Sequence, residues 1–146
     1  MESQDKPKKQ VVIANGVVQD NEERVLLVKR KREWDEQSHD KWELPGGKVE
    51  FAEDPKKTAM REVEEETGYE VENPKLVPRL YSHHWEYDIR ESHVIIVPFA
   101  CDLVGGEIDT SDKNISEVDW FKLDEIRDLK VLPGTLEVLE KAFESI

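Results

Sequence analysis

The chain has 146 residues, of which 37% are hydrophobic and 38% charged, and a formal net charge of −13. That length and balance fit one globular domain over residues 1–146 with a real core, residues 1–9 being a flexible tail. The negative excess argues against a nucleic-acid groove, whose phosphates need Lys and Arg, and against an anionic membrane surface.

The single cysteine, Cys101, lies in an apolar run. It allows no disulfide within the chain, which points to a reducing cytoplasm, and it reads as a small buried hydrophobe rather than a nucleophile. The polar start MESQDKPKKQ lacks the apolar stretch of a secretory signal. No apolar run approaches the roughly 18 residues of a membrane span.

In chain order, the β-branched run QVVIANGVV (residues 10–18) predicts a strand. Turn chemistry follows in VQDNEER. Residues 25–31 predict the returning strand, which ends on a basic tip of Lys29, Lys31, Arg30 and Arg32. That tip is either a grip on substrate phosphates or a solvated turn. KWELPGG is a short extended piece stopped by Pro45 and two glycines.

A helix is expected from Pro55 to Thr67, with Asp54 as N-cap, Pro55 in the first position and Gly68 just past the end. Beyond it, residues 75–88 predict a strand with a proline irregularity. Residues 92–104 predict a nearly continuous apolar strand buried on both faces. A loop over 105–116, a short strand over 117–123, a short helix over 123–129 and a final helix opened by Pro133 and Gly134 complete the chain. Leu136, Leu139 and Phe143 stand at helical spacing in the last. The class is α+β, with a mixed sheet between helices.

The helix carries an anomaly: REVEEETG places four glutamates in five residues near its C-terminal end. On a helical wheel Val63 and Thr67 fall about 40° and 80° from Ala59, making the buried stripe. Glu66, Glu62 and Glu65 fall about 20°, 60° and 120° to the other side, along one margin, whereas Glu64 faces away. Like charges at i, i+4 and acids at the negative end of the macrodipole both cost stability. Three carboxylates on one edge are what a hard, oxygen-seeking cation needs. Gly46 and Gly47 admit close backbone approach and can aim a carbonyl oxygen. Arg61 offers a fork that orients a carboxylate, with Glu53 as its partner.

These residues resemble the Nudix box. Gly47, Glu53, Arg61, Glu62, Val63, Glu65, Glu66 and Gly68 stand at its spacing; Tyr69 fills its last apolar position with an aromatic. The resemblance implies an α/β/α sandwich that hydrolyses a nucleoside diphosphate linked to another group. It implies Mg²⁺, with Mn²⁺ able to substitute, on Glu62, Glu65, Glu66 and the Gly46 carbonyl, and Arg61 with Glu53 as the orienting pair. The LPGGKVE context is most similar to MutT-type nucleoside triphosphate pyrophosphohydrolases. Hydrolysis of ADP-ribose, a nucleotide sugar or a dinucleoside polyphosphate is the alternative within the class, and a non-catalytic nucleotide-binding module the alternative outside it. A nucleotide or its derivative is the expected partner, and a homodimer is in keeping with the family.

For the catalytic base, the resemblance points to a box glutamate, Glu65, or to an acid in the loop before Trp120. The position where relatives carry that acid falls near Asn114, which takes no proton. Asp112 is therefore the loop candidate, with Glu107 beside it. Three weaker signals remain. His83, His84 and His93 suggest a transition-metal site only faintly. Trp85 and Tyr87 suit either a base stack or packing. Tyr87 also stands at the edge of the window where the family's dinucleoside polyphosphate hydrolases carry a tyrosine.

Overall fold

β1 (Lys8–Val18) organises the molecule because both of its edges are taken. It pairs in parallel with β7 (Glu91–Gly106), from Lys8 opposite Glu91 to Val18 opposite Cys101. On its other side β4 (Gly46–Lys48) runs antiparallel, with Asn15 opposite Gly46. The computed structural model describes residues 6–109 and 111–144. Residues 1–5 of the expected tail lie outside that range, but Lys8 and Lys9 are paired strand rather than flexible chain.

β7 has 16 residues and takes two partners in succession. β6 (Tyr81–Glu86) forms a hairpin on its first half, and β5 (Tyr69–Leu76) pairs antiparallel along its second. The single strand expected over 75–88 is thus two, broken at Val77–Leu80, where Pro78 cannot donate to a ladder. The five strands form a mixed sheet ordered β4-β1-β7-β5, with β6 beside β7.

β2 (Val25–Arg30) does not return along β1 as a hairpin; only one bridge, Gln19 to Val25, links them. It centres a second sheet between β3 (Trp42–Glu43) and β8 (Ile115–Phe121). Alternation sends Leu26 and Val28 into one core and Val25 and Leu27 into the other. All four are fully buried, each contributing about 1.5–3 kcal/mol. β2 is therefore the strand covered on both faces. β7 is not: residues 91–97 are half-buried, and exposed positions alternate after Cys101. Cys101 itself is buried, and burial pushes its thiol up to about 12, which leaves it without nucleophilic character.

α1 (Pro55–Thr67) has the expected ends. The Asp54 side chain accepts from the Lys56 N–H at 2.9 Å, and Gly68, at φ 87°, donates to the Glu64 carbonyl. Its Ala59 and Val63 pack with Ala14, Val18, Leu26 and Phe99. On the opposite side, α2 (Leu123–Ile126) and α3 (Thr135–Glu144) cover Val17, Val25 and Leu27 through Ile126, Val138 and Leu139. The result is the expected α+β sandwich. No helix among the described residues is long and apolar enough to cross a membrane.

Candidate active site

A cleft of about 370 Å³ opens where β4, β1, β7 and β6 lie side by side. Strand alternation turns Val11, Ile13 and Asn15 of β1, Val94 and Ile96 of β7, and His83 and Trp85 of β6 toward it. Gly46, Gly47, Glu62 and Glu66 line it at the β4 edge, and Arg30, Arg32, Glu43 and Lys48 bring further charge. From the β4 edge to β6 is three strand spacings, about 14 Å.

Glu66 is 4% exposed. Its carboxylate faces the Arg30 guanidinium at 3.1 Å and accepts from the Gly46 N–H at 3.1 Å. Arg30 also donates to the Gly46 carbonyl at 3.3 Å and pairs with Glu43. The basic-tip reading therefore fails for Arg30, which is neither a solvated turn nor a free cation. It is the buried counter-charge of two carboxylates. The wheel put Glu66 at the margin of the buried stripe; the fold puts it inside. Period-2 alternation in VLLVKR already sets Arg30 on the face of Leu26 and Val28, and that was the signal available.

Glu62 is half-buried, and burial raises its pKa above the ordinary carboxylate value. Gly47 is needed here, since a side chain at that position would fall on the Glu62 carboxylate. Arg61 grips Glu53 with two bonds, at 2.9 and 3.1 Å, and reaches Glu62 at 3.0 Å and Glu65 at 3.2 Å. Those bonds hold the Glu53 carboxyl down at about 2. Arg61 and Glu53 are thus in contact, as the motif spacing implies. Glu65 is the outlying member: it is 55% exposed and sits on Arg61 rather than among the cleft residues.

Among the described residues no three Asp, Glu, His or Cys side chains converge as a ready metal cage. Two arginines occupy the acids instead, Arg61 on Glu62 and Glu65 and Arg30 on Glu66. The donor chemistry nevertheless fits a hard divalent cation: carboxylates plus a backbone carbonyl, all oxygen.

Burial pushes the Glu66 carboxyl up to about 7, against the pull of Arg30. This folded value lies above the ordinary 4.5, so the fold prefers the protonated acid. The stability this supplies without metal is full below pH 4.5 and is lost as pH rises through about 7. A proton also competes with a cation for the same oxygen. We therefore expect the Mg²⁺ concentration for half-maximal activity to rise as pH falls from 8 to 6. A titration giving the same midpoint at both pH values would exclude the competition.

The remaining sequence candidates divide. Asp112 is not among the cleft residues; its carboxylate accepts from the Asn114 N–H at 2.8 Å, and it borders a separate depression with Lys31 and His39. Glu107 is exposed, its carbonyl packed against Gly68. His83 lines the cleft edge-on to Trp85, at 4.5 Å between ring centres. His84 and His93 pair across the strands on the other face, so the three histidines do not meet. Tyr87 is tied by its hydroxyl to Asp35 at 2.9 Å, which pins the loop after β2 and leaves Trp85 as the cleft aromatic. Sequence reasoning missed Glu43, Lys48 and Asn15. The Asn15 Oδ1 is shut from solvent and has no partner among the described residues, a cost of about 1–3 kcal/mol.

A helix brings carboxylates beside a close-packed Gly-Gly strand, and together they set oxygen donors at the charged edge of an otherwise apolar cleft. The chain belongs to the Nudix family, matching the NUDIX domain over residues 9–142. A CMP-5'-(N-acetyl-N-hydroxy-3-aminopropyl)phosphonate hydrolase of Streptomyces rubellomurinus is 40% identical over 118 residues, covering 77% of this chain and 52% of that protein. An ADP-ribose pyrophosphatase of Methanocaldococcus jannaschii is 30% identical over 119 residues, covering 79% of this chain and 63% of that one. The chain thus spans about half of the first relative and under two thirds of the second. The MutT NUDIX hydrolase of Burkholderia pseudomallei superposes with a TM-score of 0.76 at 26% identity, over 90% of this chain and 97% of that structure.

Proposed function

We propose that this chain hydrolyses a nucleoside diphosphate linked to another group, a nucleoside triphosphate first among them. One observation carries the reading: a single cleft joins Glu62, Glu66 and Gly46 at one edge to the apolar strip of Val11, Ile13, Val94, Ile96 and Trp85. A nucleotide divides in the same way, into an anionic phosphate end and a flat apolar base. Arg32 and Lys48, beside the acids, suit the phosphates. Hydrolysis of a nucleotide joined to a non-nucleotide group, such as ADP-ribose, is the second reading. The substrates named for the two curated relatives favour it.

Glu62, Glu65, Glu66 and the Gly46 carbonyl would hold Mg²⁺, or Mn²⁺ in its place. The ion would offset phosphate charge and acidify a water. Arg61, fixed by Glu53, sets the direction of the Glu62 and Glu65 carboxylates. Glu62 faces the cleft from within the box, so we place the proton-accepting carboxylate in α1. Asp112→Asn and Glu107→Gln should then each leave kcat within about twofold, where the loop reading expects a drop of about tenfold, or 1.4 kcal/mol. A tenfold fall in either variant's kcat would return the base to the loop.

The deciding experiment is a nucleotide panel with Mg²⁺, products weighed by mass spectrometry to locate the broken bond. Turnover should vanish in excess chelator and return with Mg²⁺ or Mn²⁺. Undiminished turnover in chelator would end the metal reading, and no turnover on any nucleotide would favour a binding module.

A further inference from the structure

One polar side chain in the cleft floor has no part in the reaction described above. On its cleft face β1 offers Val11 and Ile13, then Asn15, then Val17 under α3. Asn is disfavoured in strands, and buried polar groups ordinarily have partners. Yet Asn15 is 7% exposed, and its Oδ1 is unpartnered among the described residues. The backbone gives it no escape. Asn15 is paired to Gly46 on one side and Pro98 on the other, and Gly46 approaches so closely that a Cβ there would fall on the Asn15 side chain. The pleat therefore holds the side chain toward the cleft, and only the last, broad torsion of the amide is left to turn.

We propose that Asn15 binds the nucleoside part of the substrate and reads a hydrogen-bond donor on it, a ribose hydroxyl or an amino group of the base. This rests on the nucleotide reading above. A half-turn of the amide brings Oδ1 to the cleft, where an O–H or N–H satisfies it. Phosphate does not satisfy the oxygen, because an ionised phosphoryl oxygen has no proton to give; it could meet this side chain only through the amide N–H groups. The cleft already supplies Arg32 and Lys48 for phosphate. The strand neighbours of Asn15, Ile13 and beyond it Val94 and Ile96, suit the uncharged part of a nucleotide. An amide among them discriminates between analogues by the group they do or do not donate.

The test compares wild type with Asn15→Leu, which keeps the volume and removes the amide, both with Mg²⁺. One arm pairs ATP with 2′-deoxy-ATP and 3′-deoxy-ATP, and the other pairs ATP with purine riboside triphosphate and CTP with pyrimidin-2-one riboside triphosphate, which carry neither the amino group nor a ring N–H. Wild type should prefer the donor-bearing member in one arm by about tenfold in kcat/KM, roughly the worth of one hydrogen bond. Asn15→Leu should lose that preference through KM of the donor-bearing member alone, with kcat unchanged. The arm that collapses identifies sugar or base. Its thermal midpoint should be equal or higher, since the unpartnered oxygen is gone. No preference in wild type, a preference kept by Asn15→Leu, or a uniform fall in kcat on every member would overturn the assignment. Absence of turnover by wild type on any nucleotide would remove the substrate reading and this assignment with it; normal turnover with an unchanged preference would remove this assignment alone.

Discussion

Glu66→Gln is expected to lower kcat by at least about a hundredfold, about 2.7 kcal/mol of barrier. The residue lines the cleft and is buried, and an amide offers a hard cation far less than a carboxylate does. The fold should feel the change less than the chemistry does. The Gln oxygen can still accept from the Gly46 N–H, and Arg30 keeps Glu43. The wheel alone expects equal or higher stability without metal, because it treats Glu66 as one of several repelling charges. Burial keeps that sign for Glu66 above about pH 7, because the fold already prefers its uncharged form; Glu65 is solvated, and the motif implies a similar loss of activity for it. The measurement is kcat at saturating Mg²⁺ together with a denaturant midpoint. Glu64→Gln is the control: its side chain is exposed and only its carbonyl is used, by the Gly68 N–H. A Glu66→Gln enzyme with more than about a tenth of wild-type kcat, a barrier rise below about 1.4 kcal/mol, would take Glu66 out of the site.

Arg30→Met should cost about 3–5 kcal/mol of stability, a large part of the 5–15 that hold a domain folded. The Arg30 side chain is 7% exposed and sits between Glu43 and Glu66. Removing it leaves the buried Glu66 carboxylate beside the half-buried one of Glu43, with no cation between them. The penalty has a signature in pH. Loss of Arg30 removes the larger of the two pulls that held the Glu66 carboxyl down and leaves only the Gly46 N–H, so that carboxyl rises further above about 7. A raised folded value means stability present at low pH and lost as pH rises, so the variant should be closer to wild type at pH 5 than at pH 8. Arg30→Met combined with Glu66→Leu should recover much of the loss, because a buried pair exchanged for apolar groups is often neutral. Urea midpoints at both pH values decide it. A loss at pH 8 below about 1 kcal/mol, the range of a solvated pair, would show that the cluster is open to water.

The parts of this protein that the sequence by itself determined are those settled within a few residues. Asp54, Pro55 and Gly68 define α1 to the residue because capping bonds close within one turn. Ala59, Val63 and Thr67 share its buried face because 3.6-residue periodicity is local. Arg61 and Glu53, eight positions apart, meet as the motif spacing requires. What tertiary structure decided is which groups lose water and which strands find partners. Glu65 and Glu66 are neighbours in one motif, yet one is solvated and the other is buried, because Arg30 arrives from β2 to receive only the second. β2 leaves β1 for another sheet because β4 and β7, far along the chain, have taken both edges of β1. Asp112 reads in the sequence as one more carboxylate, but in the β7–β8 loop it accepts from the Asn114 N–H of its own turn. Asn15 reads as one polar residue in an apolar strand until Gly46 packs against it and its amide oxygen is left buried, without a partner among the described residues. Charge burial and edge occupancy depend on elements distant in sequence, and no local pattern encodes them.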